Sequence, residues 1–199
     1  MAVILAAGLS RRMGDQNKLL LPVWGEPMIR RTVRAYAGAG LEVMVVTGFA
    51  ARDITHAITD LPVRFVHNPD FERGQKTSVA AGLKAARGAD DVLVGLGDQP
   101  RLGPLQIKNL INAHSAAGGG KISIPHDGDR RGNPIAIPGA LIDALLSDQQ
   151  NPGCHTFTRT RPELVNAIPL TDPAYYSDVD TPEAYSDLLR AGSIEAGAT

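Results

Sequence analysis

A chain of 199 residues, 43% hydrophobic and 21% charged, can bury one sizeable core and is short for two. Lys and Arg total 20 against 21 Asp and Glu, a formal net charge of -1, which excludes a surface built to coat nucleic acid and makes any basic function local. One cysteine, Cys154, excludes a disulfide framework and points to a reducing compartment, the cytoplasm. No apolar run approaches a membrane span. The N-terminal run is broken by Gly8 and Ser10 with no charged region before it, so neither a membrane anchor nor a signal peptide is expected.

Val3-Ile4-Leu5 reads as a buried strand over 2–6, and Ala6-Ala7-Gly8 removes side-chain bulk where that strand would leave its sheet. A helix over 26–39 follows, ending at Gly38 and Gly40, then a strand over 42–47, a helix over 51–59 and a strand over 63–67. A helix over 76–87, a strand over 91–96 and a helix over 104–117 continue the alternation, which is the pattern of repeated βαβ units around a parallel sheet. The chain is therefore α/β. Further strands are expected at 121–125 and 134–137, and shorter ones at 164–168 and 175–179 in a last third punctuated by prolines. Asp180-Thr181-Pro182-Glu183 starts a helix that runs to about Arg190, with Thr181 as N-cap and Pro182 at the first helical position. Residues 1–191 are expected to form one domain and 192–199 a frayed, flexible tail.

Two common phosphate loops fail on spacing. The dinucleotide fingerprint G-x-G-x-x-G is absent after the first strand, and the interval from Gly8 to Gly14 puts Asp15 where a P-loop needs lysine. What remains is L-A-A-G-x-S-x-R-M-G with Lys18 beyond it. Backbone N–H groups around Ala7, Gly8 and Leu9 suit a nucleotide, while Arg12 and Lys18 suit its triphosphate; a solvated basic turn is the plain alternative. In DDVLVGLGDQPRLG an apolar strand delivers Asp98 at its carboxyl end, where open α/β sheets bind ligands and where Mg²⁺ wants a carboxylate. A turn aspartate before Gln99-Pro100 is the alternative. In SDVDTPEAY, Asp178 and Asp180 alternate on an expected extended segment, so only one can face a site; Asp180 is a second metal carboxylate or merely a helix cap.

These three motifs, in this order from residue 3 to about 188, resemble the MobA-like nucleotidyltransferases, most closely the molybdenum cofactor cytidylyltransferase branch. The branch assignment rests on Ala6-Ala7-Gly8, where the guanylyl branch usually has a second glycine, and on Gly97-Asp98-Gln99-Pro100. The resemblance implies a three-layer, Rossmann-like fold with a mostly parallel, mixed sheet. It also implies a nucleoside triphosphate held by Leu5, Ala6, Ala7, Gly8, Arg12, Lys18 and Asp98, and Mg²⁺ on Asp98 and Asp180. Arg12, Lys18 and Asp98 are the expected catalytic set. Thr77 and Ser78, opening a helix in Gly74 to Ser78, fall where the family lines its base and ribose pocket; either one capping that helix is the alternative. Gln99, Arg131 and Asn133 are expected on the acceptor side. Here the chain departs from the branch, reading Arg131-Gly132-Asn133-Pro134 where Arg-Gly-His-Pro is usual, and Asn133 cannot titrate near neutrality. Cys154 and His155 fall where the family places part of its acceptor side, but read as structural and not catalytic.

The reaction so implied is transfer of CMP from CTP to a phosphorylated acceptor, most closely molybdopterin, with release of pyrophosphate. Guanylyl transfer from GTP, or cytidylyl transfer to a sugar or polyol phosphate, is the same chemistry with other substrates. The implied protein partner is a molybdenum hydroxylase or its maturation chaperone. A hydride-transferring oxidoreductase is disfavoured by the missing dinucleotide fingerprint, and a non-catalytic nucleotide-binding protein by the second metal carboxylate.

Overall fold

The computed structural model describes residues 1–13, 16–147 and 154–196. Strand β1 (Ala2–Ala6) is buried along its whole length, as a short continuous apolar run must be when strands pair on both of its edges and helices cover both faces. A hairpin of β2 (Pro22–Val23) and β3 (Glu26–Pro27) follows, turned by Trp24 and Gly25 at positive φ, so helix α1 begins only at Met28 and ends at Gly38. The chain continues through β4 (Val43–Thr47), α2 (Ala51–Ala57), β5 (Val63–His67), α3 (Gln75–Ala85), β6 (Asp91–Leu96) and α4 (Pro104–Ala116). Then come β7 (Ile122–Asp127), β8 (Arg130–Arg131), β9 (Ile135–Pro138), α5 (Ile142–Ser147), α6 (Cys154–Thr160), β10 (Val165–Pro169) and α7 (Pro182–Ala196).

The strand order is β10-β7-β9-β6-β1-β4-β5, with β8 on β7. β1 is parallel to β4 and β6, β4 to β5, and β10 to β7, whereas β9 runs antiparallel to both β6 and β7. The sheet is thus mixed and mostly parallel. From β1 the chain moves outward to β4 and β5, then returns with β6 on the other side of β1. That reversal leaves a crevice at the carboxyl ends of β1 and β6, where ligands enter open α/β sheets.

Helices cover both faces. Ala2, Ile4 and Ala6 point into a core with Ile29, Val33 and Tyr36 of α1 and Ile107 and Leu110 of α4. Val3 and Leu5 point the other way, onto Val79 and Leu83 of α3 and Ile142 and Leu145 of α5. The approach of α3 depends on Gly82: a Cβ there would lie 2.4 Å from Val3 Cγ1 and 3.0 Å from Val46 Cγ2. Both neighbours are fully buried, so neither can yield cheaply. Gly82→Val is expected to cost roughly 1–3 kcal/mol by overpacking, lowering the melting temperature by about 2–12 °C in a chain of this size. An unchanged thermal melt would sink this account of the helix–sheet contact.

Two expectations need correction. No strand forms over 175–179. Asp172 Oδ1 instead accepts from Ala174 N at 2.9 Å, Pro173 opens a 3₁₀ turn to Tyr176, and the chain then runs irregularly to Asp180. Tyr175 is buried and its hydroxyl donates to Gln106 O at 2.6 Å, so the segment is held by a side chain rather than by a ladder. The last helix starts as expected, with Ala184 N donating to Thr181 Oγ1 at 3.2 Å, but it runs past Arg190 to Ala196. Only 197–199 of the expected frayed tail lie outside the described residues. Among the described residues no helix is long and apolar enough to cross a membrane.

Candidate active site

The loop leaving β1 lines a cleft of about 450 Å³ at the crevice, with Ala7, Gly8 and Leu9 along one wall. A Cβ added at Gly8 would meet nothing within 4 Å, so the glycine keeps that wall open rather than relieving a clash. The loop then turns back through Ser10, at φ 51°. Asn17, 7% exposed, accepts at Oδ1 from Leu19 N at 3.0 Å and from Ser10 Oγ at 3.4 Å, while Lys18 N donates to Ser10 Oγ at 3.3 Å. These bonds pin the main chain that presents Lys18 to the cleft. Gly14 and Asp15 of the loop motif lie outside the described residues.

The opposite wall is the end of β6. Gly97 N donates to Leu5 O at 3.0 Å, and a Cβ at Gly97 would itself sit 3.0 Å from that oxygen, so a side chain there would crowd the two strand ends where they meet. Asp98 follows directly. Lys18 Nζ donates to Asp98 Oδ2 and, at 2.7 Å, to Asp180 Oδ1; Arg12 Nη2 donates to Asp180 Oδ2 at 2.8 Å. A main-chain bond ties the third segment in, with Val179 N donating to Asp98 O at 3.0 Å. Asp98 Oδ1 is buried and has no partner.

Asp178 joins this group, contrary to the expectation that one of the alternating aspartates would turn away. Both Asp178 and Asp180 line the cleft. The period of two applies to strands, and this segment is not one. Burial against the cleft, with the charges of Asp98 and Asp180 nearby, raises the Asp178 carboxyl above its ordinary value.

Magnesium favours one or two carboxylates together with water and phosphate oxygens. Asp98 and Asp180 supply such a pair, and the partnerless Asp98 Oδ1 leaves lone pairs free for it. Among the described residues no group of three or more His, Cys, Asp or Glu is arranged to hold a metal, so the donor set fits an open, substrate-completed site rather than a closed cage.

A second cleft, of about 510 Å³, opens from the first across Leu5, Gln75 and Leu96, which line both. Its floor is apolar, with Val79, Val94, Ile124 and Ile135, and its polar side carries Arg131 and Asn133. Arg131 is held by Thr158, whose Oγ1 accepts from Nη2 at 2.6 Å and in turn donates to Cys154 O at 2.7 Å. Burial, followed by the nearby charge of Arg159, lowers the Arg131 guanidinium from its ordinary value.

Against this geometry, a family model of the MobA-like NTP transferase domain matches residues 2–165. The chain belongs to the MobA-like NTP transferase family. It is 33% identical over 194 residues to nicotine blue oxidoreductase of Paenarthrobacter nicotinovorans, covering 94% of this chain and 95% of that one. A nucleotidyl transferase of Methanothermobacter thermautotrophicus superposes with a TM-score of 0.82 at 25% identity over 96% of this chain and 95% of the other. The molybdopterin-guanine dinucleotide biosynthesis protein A of Archaeoglobus fulgidus superposes with a TM-score of 0.73 at 16% identity, over 96% and 95% of the two chains, a likeness of fold.

In this MobA-like chain most of the residues expected at the site converge, and three do not. Leu5, Ala7, Gly8, Arg12, Lys18, Ser78, Asp98 and Asp180 line the first cleft. Ala6 is buried in β1, 1% exposed, with its side chain in the core. Thr77 is a brace: its Oγ1 accepts from Asn68 Nδ2 and donates to Gly74 O, both at 2.9 Å. Gln99 is 1% exposed beneath the site, donating to Tyr175 O at 3.2 Å, and lines neither cleft. Conversely, Cys154 and His155 line the second cleft. Burial pushes the Cys154 thiol up to about 12. Asn17 and Asn68, the buried amides that pin the two loops, went unread; Asn17 carried a signal, since Asn beside the basic residue of a turn is a common cap.

The charges set a pH window. Partial burial would raise the Asp180 carboxyl, but Lys18 and Arg12 outweigh it and hold it below its ordinary 3.8. Burial would lower the Lys18 ammonium, yet Asp98 and Asp180 hold it above 10.5. A carboxyl depressed on folding stabilises above its unfolded value and loses that contribution as pH falls through the folded one; an ammonium that is raised does so in the opposite direction. The stability difference between the native chain and Asp180→Asn is therefore expected to stay flat between about pH 7 and 9, above the range in which the raised Asp178 carboxyl takes up its proton. It should shrink as pH falls below 3.8. Thermal melts across that range check it, and a difference that grows as pH falls below 3.8 contradicts the assigned charges.

Proposed function

We propose that this chain is a Mg²⁺-dependent cytidylyltransferase that moves CMP from CTP to a phosphorylated acceptor of the molybdopterin type and releases pyrophosphate, with residues 1–191 working as one transferase domain. The observation that carries this reading is the meeting of Lys18 and Arg12 with Asp98 and Asp180 at the crevice, where a second cleft opens beside the first. A binding module for a bare nucleotide has no need of paired carboxylates facing an anion.

In this reading the triphosphate lies against Ala7, Gly8 and Leu9, and Ser78 reaches the sugar side. The acceptor occupies the second cleft with its anionic end toward Arg131 and Asn133. An acceptor phosphate oxygen attacks the α-phosphorus, a new P–O bond forms there, and the bond from the α-phosphorus to the bridging oxygen breaks to expel pyrophosphate. The nucleophile is already ionised at neutral pH, so no general base is required, and among the described residues no histidine bonds to Asp98 or Asp180. Lys18 and Arg12 place positive charge against the triphosphate and the departing pyrophosphate, and the pinned turn at Asn17 keeps Lys18 in place as that charge develops. Mg²⁺ bound by Asp98 and Asp180 would draw negative charge off the phosphate oxygens.

One observation favours a second reading: the similar protein from P. nicotinovorans is named an oxidoreductase. The absence of G-x-G-x-x-G after β1 weighs against hydride transfer from a dinucleotide here. Competition binding separates the readings. With Mg²⁺ present, CTP is expected to displace a fluorescent nucleotide at lower concentration than GTP or ATP, and NADPH not to displace it. Preference for GTP moves the chain to guanylyl transfer; tight NADPH binding with none of the triphosphates favours the oxidoreductase. If the triphosphate order holds, a panel of phosphorylated acceptors distinguishes molybdopterin from sugar or polyol phosphates.

A further inference from the structure

Lys18 does more in this geometry than wait for phosphate. We infer that it is an internal counter-ion that keeps a divalent cation off Asp98 and Asp180 until a nucleotide's phosphates draw its ammonium away, so that metal and nucleotide load together. The inference rests on the nucleotide-binding reading of the same cleft.

The ammonium already takes one oxygen of each carboxylate, Asp98 Oδ2 and Asp180 Oδ1. A divalent cation bridging the two aspartates needs the same lone pairs, at metal–oxygen distances of about 2.0–2.1 Å for Mg²⁺, and would sit beside a like charge. Lys18 and Asp98 side chains are each 13% exposed, so water screens that repulsion poorly. The lysine cannot withdraw by moving its backbone, because Asn17 and Ser10 hold the turn on both sides of it. It leaves only by side-chain rotation, and the mouth of the cleft lined by Gly8 and Leu9 is where a triphosphate would attract it. Arg12 is not an equivalent gate. Its side chain is 67% exposed, and it pairs with the other oxygen of Asp180, not with Asp98. Asp98 Oδ1 is the atom left over, buried and without a partner, and it becomes useful only once the ammonium has gone.

Equilibrium dialysis of the full chain against Mn²⁺ tests this without turnover, with retained metal counted by atomic absorption. The native chain is expected to bind Mn²⁺ weakly alone and about one ion per chain when CTP is added. Lys18→Met and Lys18→Gln should bind Mn²⁺ alone roughly 5–150-fold more tightly than the native chain, the usual range for coupling between two sites. Lys18→Arg, which keeps the charge, should stay as weak as the native chain. Circular dichroism melts establish which variants are folded. If the folded neutral variants gain no affinity for Mn²⁺, or Lys18→Arg gains as much as they do, the inference is overturned. The native chain supplies a measurement that needs no variant: Mn²⁺ held as tightly without CTP as with it also overturns the gate. Failure of the underlying nucleotide reading looks different, since no triphosphate would then be retained with the metal while the gain of metal binding by Lys18→Met could still appear.

Discussion

Asp98→Asn is expected to slow pyrophosphate release from CTP and Mg²⁺ by about 10²–10³-fold, or roughly 2.7–4 kcal/mol of transition-state stabilisation. The substitution keeps the side chain's shape but removes its charge, so Lys18 is left with Asp180 alone and the carboxylate pair that suits a metal is broken. The fold should survive. The tie from Val179 N to Asp98 O is a main-chain bond, and the close approach of Gly97 to Leu5 involves no part of the Asp98 side chain. Loss of turnover with an unchanged melt is the expected pair of results. Near-full turnover by Asp98→Asn would remove Asp98 from the catalytic set.

Lys18→Ala is expected to reduce the same rate by a similar 10²–10³-fold, about 2.7–4 kcal/mol, for a different reason. The carboxylates remain, but the triphosphate loses the ammonium that the pinned turn presents to both of them. Unlike Asp98→Asn, this change should also destabilise the chain, because Asp98 and Asp180 then face each other without the ammonium between them. Lower turnover together with a lower melting temperature at pH 7 is the signature, and the stability loss should diminish in acid as the carboxylates take up protons. The variant that binds metal more readily is thus expected to be the slower enzyme, since freeing the carboxylates and neutralising the phosphates are opposite demands on one ammonium. Full activity in Lys18→Ala would remove the charge role assigned to it.

Much of the site could be read along the chain because its signals are local. The apolar run before Gly8 had to be a buried strand, and the run ending at Gly97 had to deliver Asp98 to the edge of the sheet. Thr181 and Pro182 announced a helix start in three residues, and the hydrogen bond from Ala184 N is that cap. Where reading failed, the determining contact was distant. The period of a strand lets only one of Asp178 and Asp180 face the site, but the ring of Tyr175, buried beside α4, and the cap by Asp172 make the segment irregular, and both do. Thr77 offered a hydroxyl at a helix start and looked available to a ligand, whereas Asn68 on the other side of the loop had already engaged it. α6 and its cleft-lining residues lay in a proline-rich stretch with no clear period, so only the family resemblance, and nothing in the local pattern, pointed Cys154 and His155 toward the acceptor side.

By itself, then, the order of residues determined the local pieces: which runs must be buried, where glycine opens the loop after β1, and which residues could carry charge to a phosphate. It also determined the family, since three short motifs in a given order are a property of the chain. Only the tertiary structure decided that Lys18 bridges Asp98 and Asp180, partners 80 and 162 residues away. Their meeting depends on β6 returning to pair with β1 after β4 and β5 have been laid down on the other side, a choice of strand order made by packing across the whole sheet. No window of sequence contains that choice, because the free energy that makes it is the burial of β1 on both faces at once.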